Sequence, residues 1–367
     1  MVSQTVKDRM LAVLQGREHD RVPFAQYVVS QHHCQSFPLR NEVCDTLGVE
    51  NAGFIRLVGI FGFRTPNCGF GHEPITYEGR DAIRHTMITP EGRLNEVRLY
   101  EESMKSTAAA THYVKTEEDY RILLSYLRDI EVVEDLGDFY NALEELGDYG
   151  LAYCYLPRTP FQQTWIQWTD MRDMAVHLAM APDIMEEVFA AIEKVNTRVF
   201  EVVCKTIQHA PVPYLVFGDN LTAPMIGDHY FRKYNVPAYN KMADMIKETG
   251  AKVPVFVHTD GYLKALWECF DECRIDGLES LSPPPDNDTS VAEASARWPH
   301  MRFLVNFPSP AHLLEPNEIY EIAMNILQEG GRRGRLQIQI SEDIPQGIWR
   351  KSYPQILKAI RDFGAPC

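Results

Sequence analysis

The stretch PYLVFGDNLTAPMIGDHYFRKYNVPAYNKMADMIKETGAKVPVFVHTD, residues 213–260, decides the fold. PYLVFGDN (213–220) is a short apolar run that reads as a strand. DHYFRKYNVPAYNKMADMIKETG reads as a helix, and PVFVHTD (254–260) is a second short apolar run. Two nearly continuous apolar strands joined through a helix fit a parallel sheet covered on both faces.

Working outward, the same alternation recurs. RVPFAQYV (21–28), AGFIRLVGIF (52–61) and YGLAYCYL (149–156) precede the quoted stretch, and GLESLS (277–282), RFLVNFP (302–308) and LQIQISED (336–343) follow it. With the two strands above, that makes eight. Helical segments lie between them, including a long one broken near Pro182. Residues 83–117 differ: alternating segments flank Thr89-Pro90-Glu91-Gly92, which is a hairpin signature. The expected fold is α/β, a (β/α)8 TIM barrel forming one domain over 1–367, with an N-terminal helical segment and a β-hairpin inserted at 83–117. The competing doubly wound sheet usually carries a glycine-rich phosphate turn after its first strand, and none is found here.

The 367 residues are 45% hydrophobic, enough for a sizeable core, and the formal charge is −15. No Lys/Arg cluster stands out, which argues against a nucleic acid or an anionic membrane as partner. The first twenty residues read as an amphipathic helix rather than a signal peptide. No run reaches the roughly 18 apolar residues of a membrane span. Eight cysteines are scattered without a C-x-x-C pair, which suits a reducing, cytoplasmic setting. Cys269 and Cys273 lie four apart on a helical stretch and suit buried packing better than metal binding.

Several strands end on polar groups: Asp219 and Asn220, His258 and Asp260, Glu279, Asn306, and Glu342 with Asp343. In a (β/α)8 barrel these ends converge on the mouth where active sites form. His258 and Asp260, two apart on a strand, point the same way. With Glu279 and Glu342 they make a donor set of one imidazole and carboxylates that suits Zn2+, or Fe2+ or Mn2+. The same spacing also suits a metal-free acid–base pair, or a packed histidine beside a solvated aspartate. Asp219-Asn220 equally suits turn chemistry, and Asn306 the satisfaction of backbone groups.

Four segments, LAVLQGREHDRVPF, GDNLTAPMIGDHYFRKYNVPAY, VFVHTDGYLKAL and SEDIPQG, resemble the uroporphyrinogen decarboxylase-like superfamily. That superfamily unites porphyrinogen decarboxylases with zinc- and cobamide-dependent methyltransferases, all (β/α)8 barrels. The decarboxylases carry an arginine-rich loop after the first strand, whereas this chain has FAQYVVSQHHCQSF, without arginine. Porphyrin carboxylates would go unpaired there. The methyltransferases bind zinc through H-x-C, in some members a glutamate on the next strand, and a cysteine near the last strand. Here the order is kept as His258, Asp260, Glu279 and Glu342, with carboxylates where the relatives carry thiolates.

The resemblance implies a methyltransferase I-type enzyme of the O-demethylase kind, closer to the corrinoid-dependent methyltransferases than to the decarboxylases. It would move a methyl group from a methoxylated, aromatic small molecule to a corrinoid on a separate protein, since no D-x-H-x-x-G cobalamin-binding motif is present. An oxygen-rich zinc site is hard and suits an ether or phenolate oxygen. The expected metal ligands are His258, Asp260, Glu279 and Glu342. Asp219 and Asn220 would orient the substrate or a water beside the metal and act in catalysis with His258 and Asp260. Tyr27, Tyr155 and Asn306, with Trp165 nearby, would line the substrate pocket. The acidic surface permits a homodimer. The alternatives are a metal-free decarboxylase or lyase acting on a smaller acid through Asp219 or Asp260, a thiol methyltransferase, and a non-catalytic binding barrel.

Overall fold

Eight parallel strands close into a barrel in the computed structural model, which describes residues 4–28, 36–48, 50–101, 106–342, 344–345 and 347–366. The barrel strands are β1 (Phe24–Val28), β2 (Gly53–Val58), β3 (Gly150–Leu156), β4 (Leu215–Leu221), β5 (Val255–Thr259), β6 (Gly277–Leu281), β7 (Arg302–Asn306) and β8 (Leu336–Ile340). They stand in sequence order around the barrel, and β1 pairs with β8 to close it. The expected (β/α)8 architecture is the observed one. No helix among the described residues is long and apolar enough to cross a membrane.

The N-terminal helix Val6–Gln15 packs against the barrel interior. Thr5 and Asp8 form a reciprocal capping box that starts it, and Gly16 ends it in the left-handed conformation at φ +65°. Its apolar stripe, Val6, Met10, Val13 and Leu14, packs with Ala25, Ile55, Leu151, Tyr214, Val216 and Phe256 from the strands' inner faces. Each buried side chain of this kind contributes about 1.5–3 kcal/mol. Gly53, at the start of β2, allows the approach, because a Cβ there would meet Val6 and Met10 at 2.9 and 3.0 Å. This end of the barrel is therefore filled with apolar side chains, and polar groups gather at the opposite, C-terminal end.

The inserted segment is larger than one hairpin. Residues Gly69–Tyr77, Arg80–Thr89, Gly92–Glu101 and Ser106–Thr111 form a four-stranded antiparallel sheet, and Phe61–Arg64 pairs with Glu131–Glu134. The Thr89–Gly92 turn lies where the sequence places it. The strand Gly69–Tyr77 escapes a sequence reading because Gly69, Gly71 and Pro74 weaken its β signal. Among the described residues it pairs on one side, and an edge strand tolerates proline.

Two barrel strands break register at the mouth. β4 shifts against β5 between Phe217 and Leu221, and β6 shifts against β7 between Glu279 and Leu281. Asn220 (φ +48°) and Ser280 (φ +61°) sit within these irregularities in the left-handed region. Such bulges re-aim the side chains beside them.

Candidate metal centre at the barrel mouth

β5 is buried along its length and delivers His258 and then Asp260 to the mouth. β6 lies beside it in parallel register, with Glu279 directly opposite His258. The register puts the Glu279 carboxylate against the imidazole, where it accepts a hydrogen bond from Nδ1. Tyr27 Oη and Gln339 Nε2 also donate to Glu279, which is 0% exposed. Gln337 Nε2 donates to Gln339 Oε1 at 3.0 Å and fixes the orientation of that amide. Three donors from β1, β5 and β8 thus surround one buried carboxylate, as a buried charge requires.

These contacts shape the site's electrostatics. Burial pulls the His258 pKa down, but the Glu279 charge and hydrogen bond, with Asp260 and Glu342 beyond, outweigh it, and the net shift is upward. Burial first and then the Glu279 charge hold the Tyr27, Tyr153 and Tyr214 hydroxyls well above the ordinary phenol range.

One ring nitrogen of His258 and one carboxylate oxygen each from Asp260 and Glu342 lie within 4.8 Å of one another. Glu279 engages Nδ1, so Nε2 is the nitrogen left for a cation. Glu279, expected as a fourth ligand, is not among the three residues whose donor atoms converge, and it bonds the histidine at Nδ1. Histidine ligands are commonly oriented in this way by a carboxylate. Zinc with N and O ligands at about 2.0–2.2 Å needs its donors somewhat closer together. Asp260 is exposed and Glu342 half-buried, so side-chain rotation can supply that contraction. The donor set fits a hard or borderline divalent cation.

The neighbouring positions separate into two faces. Asn220 joins the cluster, donating from Nδ2 to Asp260 Oδ2 at 3.0 Å. Asp219, one residue earlier, turns to the surrounding helices. It accepts from Thr159 N (2.7 Å), Thr159 Oγ1 (3.1 Å), Asn235 Nδ2 (3.2 Å) and Tyr239 Oη. Burial raises its pKa against those donors. Asn306 is also occupied: it donates to Ser282 Oγ and accepts from Ser341 N, both at 3.0 Å, tying together the ends of β6, β7 and β8. Tyr27 spends its hydroxyl on Glu279. Tyr155 is 39% exposed, with its ring edge-on to Phe61 at 5.6 Å. Trp165 donates to Gln162 Oε1 at 2.9 Å. Asp343 lies outside the described residues.

Arg158 is the residue that the sequence reading missed. It follows β3, and its Nη2 donates to Asn220 Oδ1 at 3.3 Å, which makes Asn220 a bridge between a guanidinium and Asp260. The signal was present as an arginine just past a strand end, in LPRTP (156–160).

The uroporphyrinogen decarboxylase (URO-D) family profile matches residues 166–346, a span that includes His258, Asp260, Glu279 and Glu342. No curated protein matches the chain. Among solved structures, a methyltransferase from Methanosarcina mazei superposes with a TM-score of 0.55 at 13% identity, covering 98% of this chain and 99% of that one. The B12-independent methionine synthase from Shewanella sp. W3-18-1, in complex with selenomethionine, gives a TM-score of 0.47 at 11% identity, over 88% of this chain and 85% of that one. At 13% identity the likeness to the Methanosarcina mazei protein is one of fold. With the profile match lying on an eight-stranded parallel barrel, this chain is similar over residues 166–346 to the uroporphyrinogen decarboxylase family.

Proposed function

We propose that this chain is a methyltransferase that takes a methyl group from a methoxylated, aromatic small molecule and passes it to a corrinoid protein. The carrying observation is the convergence of His258, Asp260 and Glu342 donor atoms within 4.8 Å at the barrel mouth. A zinc ion held there would supply a Lewis acid for the ether oxygen, and a reduced corrinoid on a separate protein would supply the nucleophile that takes the methyl group.

The chain's own residues have distinct duties in this scheme. Glu279 bonds the Nδ1 of His258 and leaves Nε2 for the metal, and Tyr27 and Gln339 hold that carboxylate in place. Asn220 holds one oxygen of Asp260 and leaves the other free to bind. A hard donor set favours an oxygen ligand over a thiol, which supports an ether donor over a thiol acceptor. Thr159, Asn235 and Tyr239 occupy the Asp219 carboxylate, which favours the metal site over a metal-free lyase working through Asp219. A lyase working through Asp260 is distinguished by metal content.

Mass spectrometry of the purified protein tests the proposal, beside a His258→Ala/Glu342→Ala variant and an assay of methoxyarene demethylation with a reduced corrinoid acceptor. The expected result is about one zinc per chain, lost in the variant together with methyl transfer. A protein free of metal after incubation with zinc that still converts a small acid would overturn it in favour of the lyase.

A further inference from the structure

We propose that Arg158 anchors a carboxylate on the substrate, so that the methyl donor is an aromatic acid rather than a neutral ether. This inference rests on the function proposed above and adds a second attachment point to the same pocket.

Arg158 is fixed at its backbone, where its carbonyl accepts from Asn196 Nδ2 at 2.8 Å in the helix Pro182–Thr206. Its guanidinium makes one hydrogen bond among the described residues, the 3.3 Å contact to Asn220 Oδ1. Its Nε is buried and has no partner among the described residues. No carboxylate among the described residues forms an ion pair with it. The Asp219 charge acts on it, but Thr159, Asn235 and Tyr239 hold the Asp219 oxygens.

A buried cation whose donors lack acceptors is costly to fold around. Arginine offers a planar fork that matches a carboxylate with two parallel hydrogen bonds. The missing acceptor is therefore a planar anion that arrives with the ligand. Asn220 fixes its position, since the same side chain contacts Arg158 through Oδ1 and the Asp260 carboxylate through Nδ2. A substrate gripped by Arg158 at one end presents its other end to the His258–Asp260–Glu342 cluster.

Calorimetric titration of zinc-loaded protein with 4-methoxybenzoate and with 4-methoxybenzamide, its neutral near-isostere, tests the assignment. Wild type, Arg158→Gln and Arg158→Lys are compared, with thermal melts confirming that each variant is folded. The expected result is a preference for the acid of at least about tenfold in wild type. Arg158→Gln abolishes that preference, and Arg158→Lys, which keeps a charge without the fork, retains part of it. Equal affinity for acid and amide in wild type, or an acid preference that survives in Arg158→Gln, overturns the anchor while leaving methyl transfer standing. If unsubstituted benzoate binds through Arg158 as well as the methoxy acid does, and no methyl is transferred from the latter, the anchor holds and methyl transfer falls. Binding of neither compound overturns the anchor.

Discussion

The Nδ1 of His258 is bonded to the carboxylate of Glu279 across two parallel strands whose register places the residues face to face. This pairing decides which ring nitrogen faces the mouth. Glu279→Gln keeps the shape but replaces one acceptor oxygen by an NH2 group that opposes the donors around it. Loss of such an orienting carboxylate typically lowers metal affinity about 10–100-fold. Zinc titration against a competing chelator measures it, and unchanged affinity in a folded variant would show that Glu279 does not hold the ligand.

Asp219 accepts from four donors on the helix side of β4. Asp219→Asn removes acceptor capacity where Tyr239, Asn235 and Thr159 all donate, and the expected loss is about 1–3 kcal/mol of stability. Zinc content should be unaffected. Chemical denaturation and metal analysis check the two halves, and a stable protein that has lost its zinc would place Asp219 in the site after all.

Asn220 occupies the left-handed region at φ +48°. Alanine there pays roughly 1–2 kcal/mol of backbone strain that glycine escapes. Both substitutions release Asp260 and Arg158 from their bridge. Asn220→Ala should therefore melt lower than Asn220→Gly while the two bind zinc equally weakly. Identical melting curves would mean that the bulge in β4 relaxes freely.

His312 supplies the pH dependence. It is fully buried, 5.0 Å from the Phe307 ring, with Nδ1 bonded to Ser352 Oγ at 2.8 Å and Nε2 without a partner among the described residues. Burial, reinforced by the Lys351 charge, lowers its pKa from 6.5 to about 4. The folded protein keeps the ring neutral while the unfolded chain protonates it below 6.5. This contribution is complete above pH 6.5 and drains away as pH falls towards 4, amounting to about 3 kcal/mol. His312→Phe should flatten the stability profile across that window. Parallel profiles for variant and wild type would exclude His312 as the titrating group.

The sequence reading was strongest where the signal is local. Each barrel strand is a short apolar run bounded by turn residues, and the Thr89-Pro90-Glu91-Gly92 turn carries its own conformational preference. The insertion was underestimated because an edge strand with two glycines and Pro74 does not look like one. Among the candidate site residues, the i, i+2 spacing aims His258 and Asp260 the same way, and in the structure their donor atoms and one of Glu342 lie within 4.8 Å of one another.

The sequence by itself therefore determined the eight-strand alternation and which polar residues end the strands, because strand periodicity and turn chemistry act over a few neighbouring residues. Only the tertiary structure decided what those residues do. Inter-strand register set Glu279 behind His258, a bulge at Asn220 sent Asp219 outward and Asn220 inward, and barrel closure brought Gln339 and Tyr27 to the same carboxylate. It also left Arg158 beside Asn220 with a donor to fill. Each of these depends on contacts between segments far apart in the chain, so no window of sequence contains them.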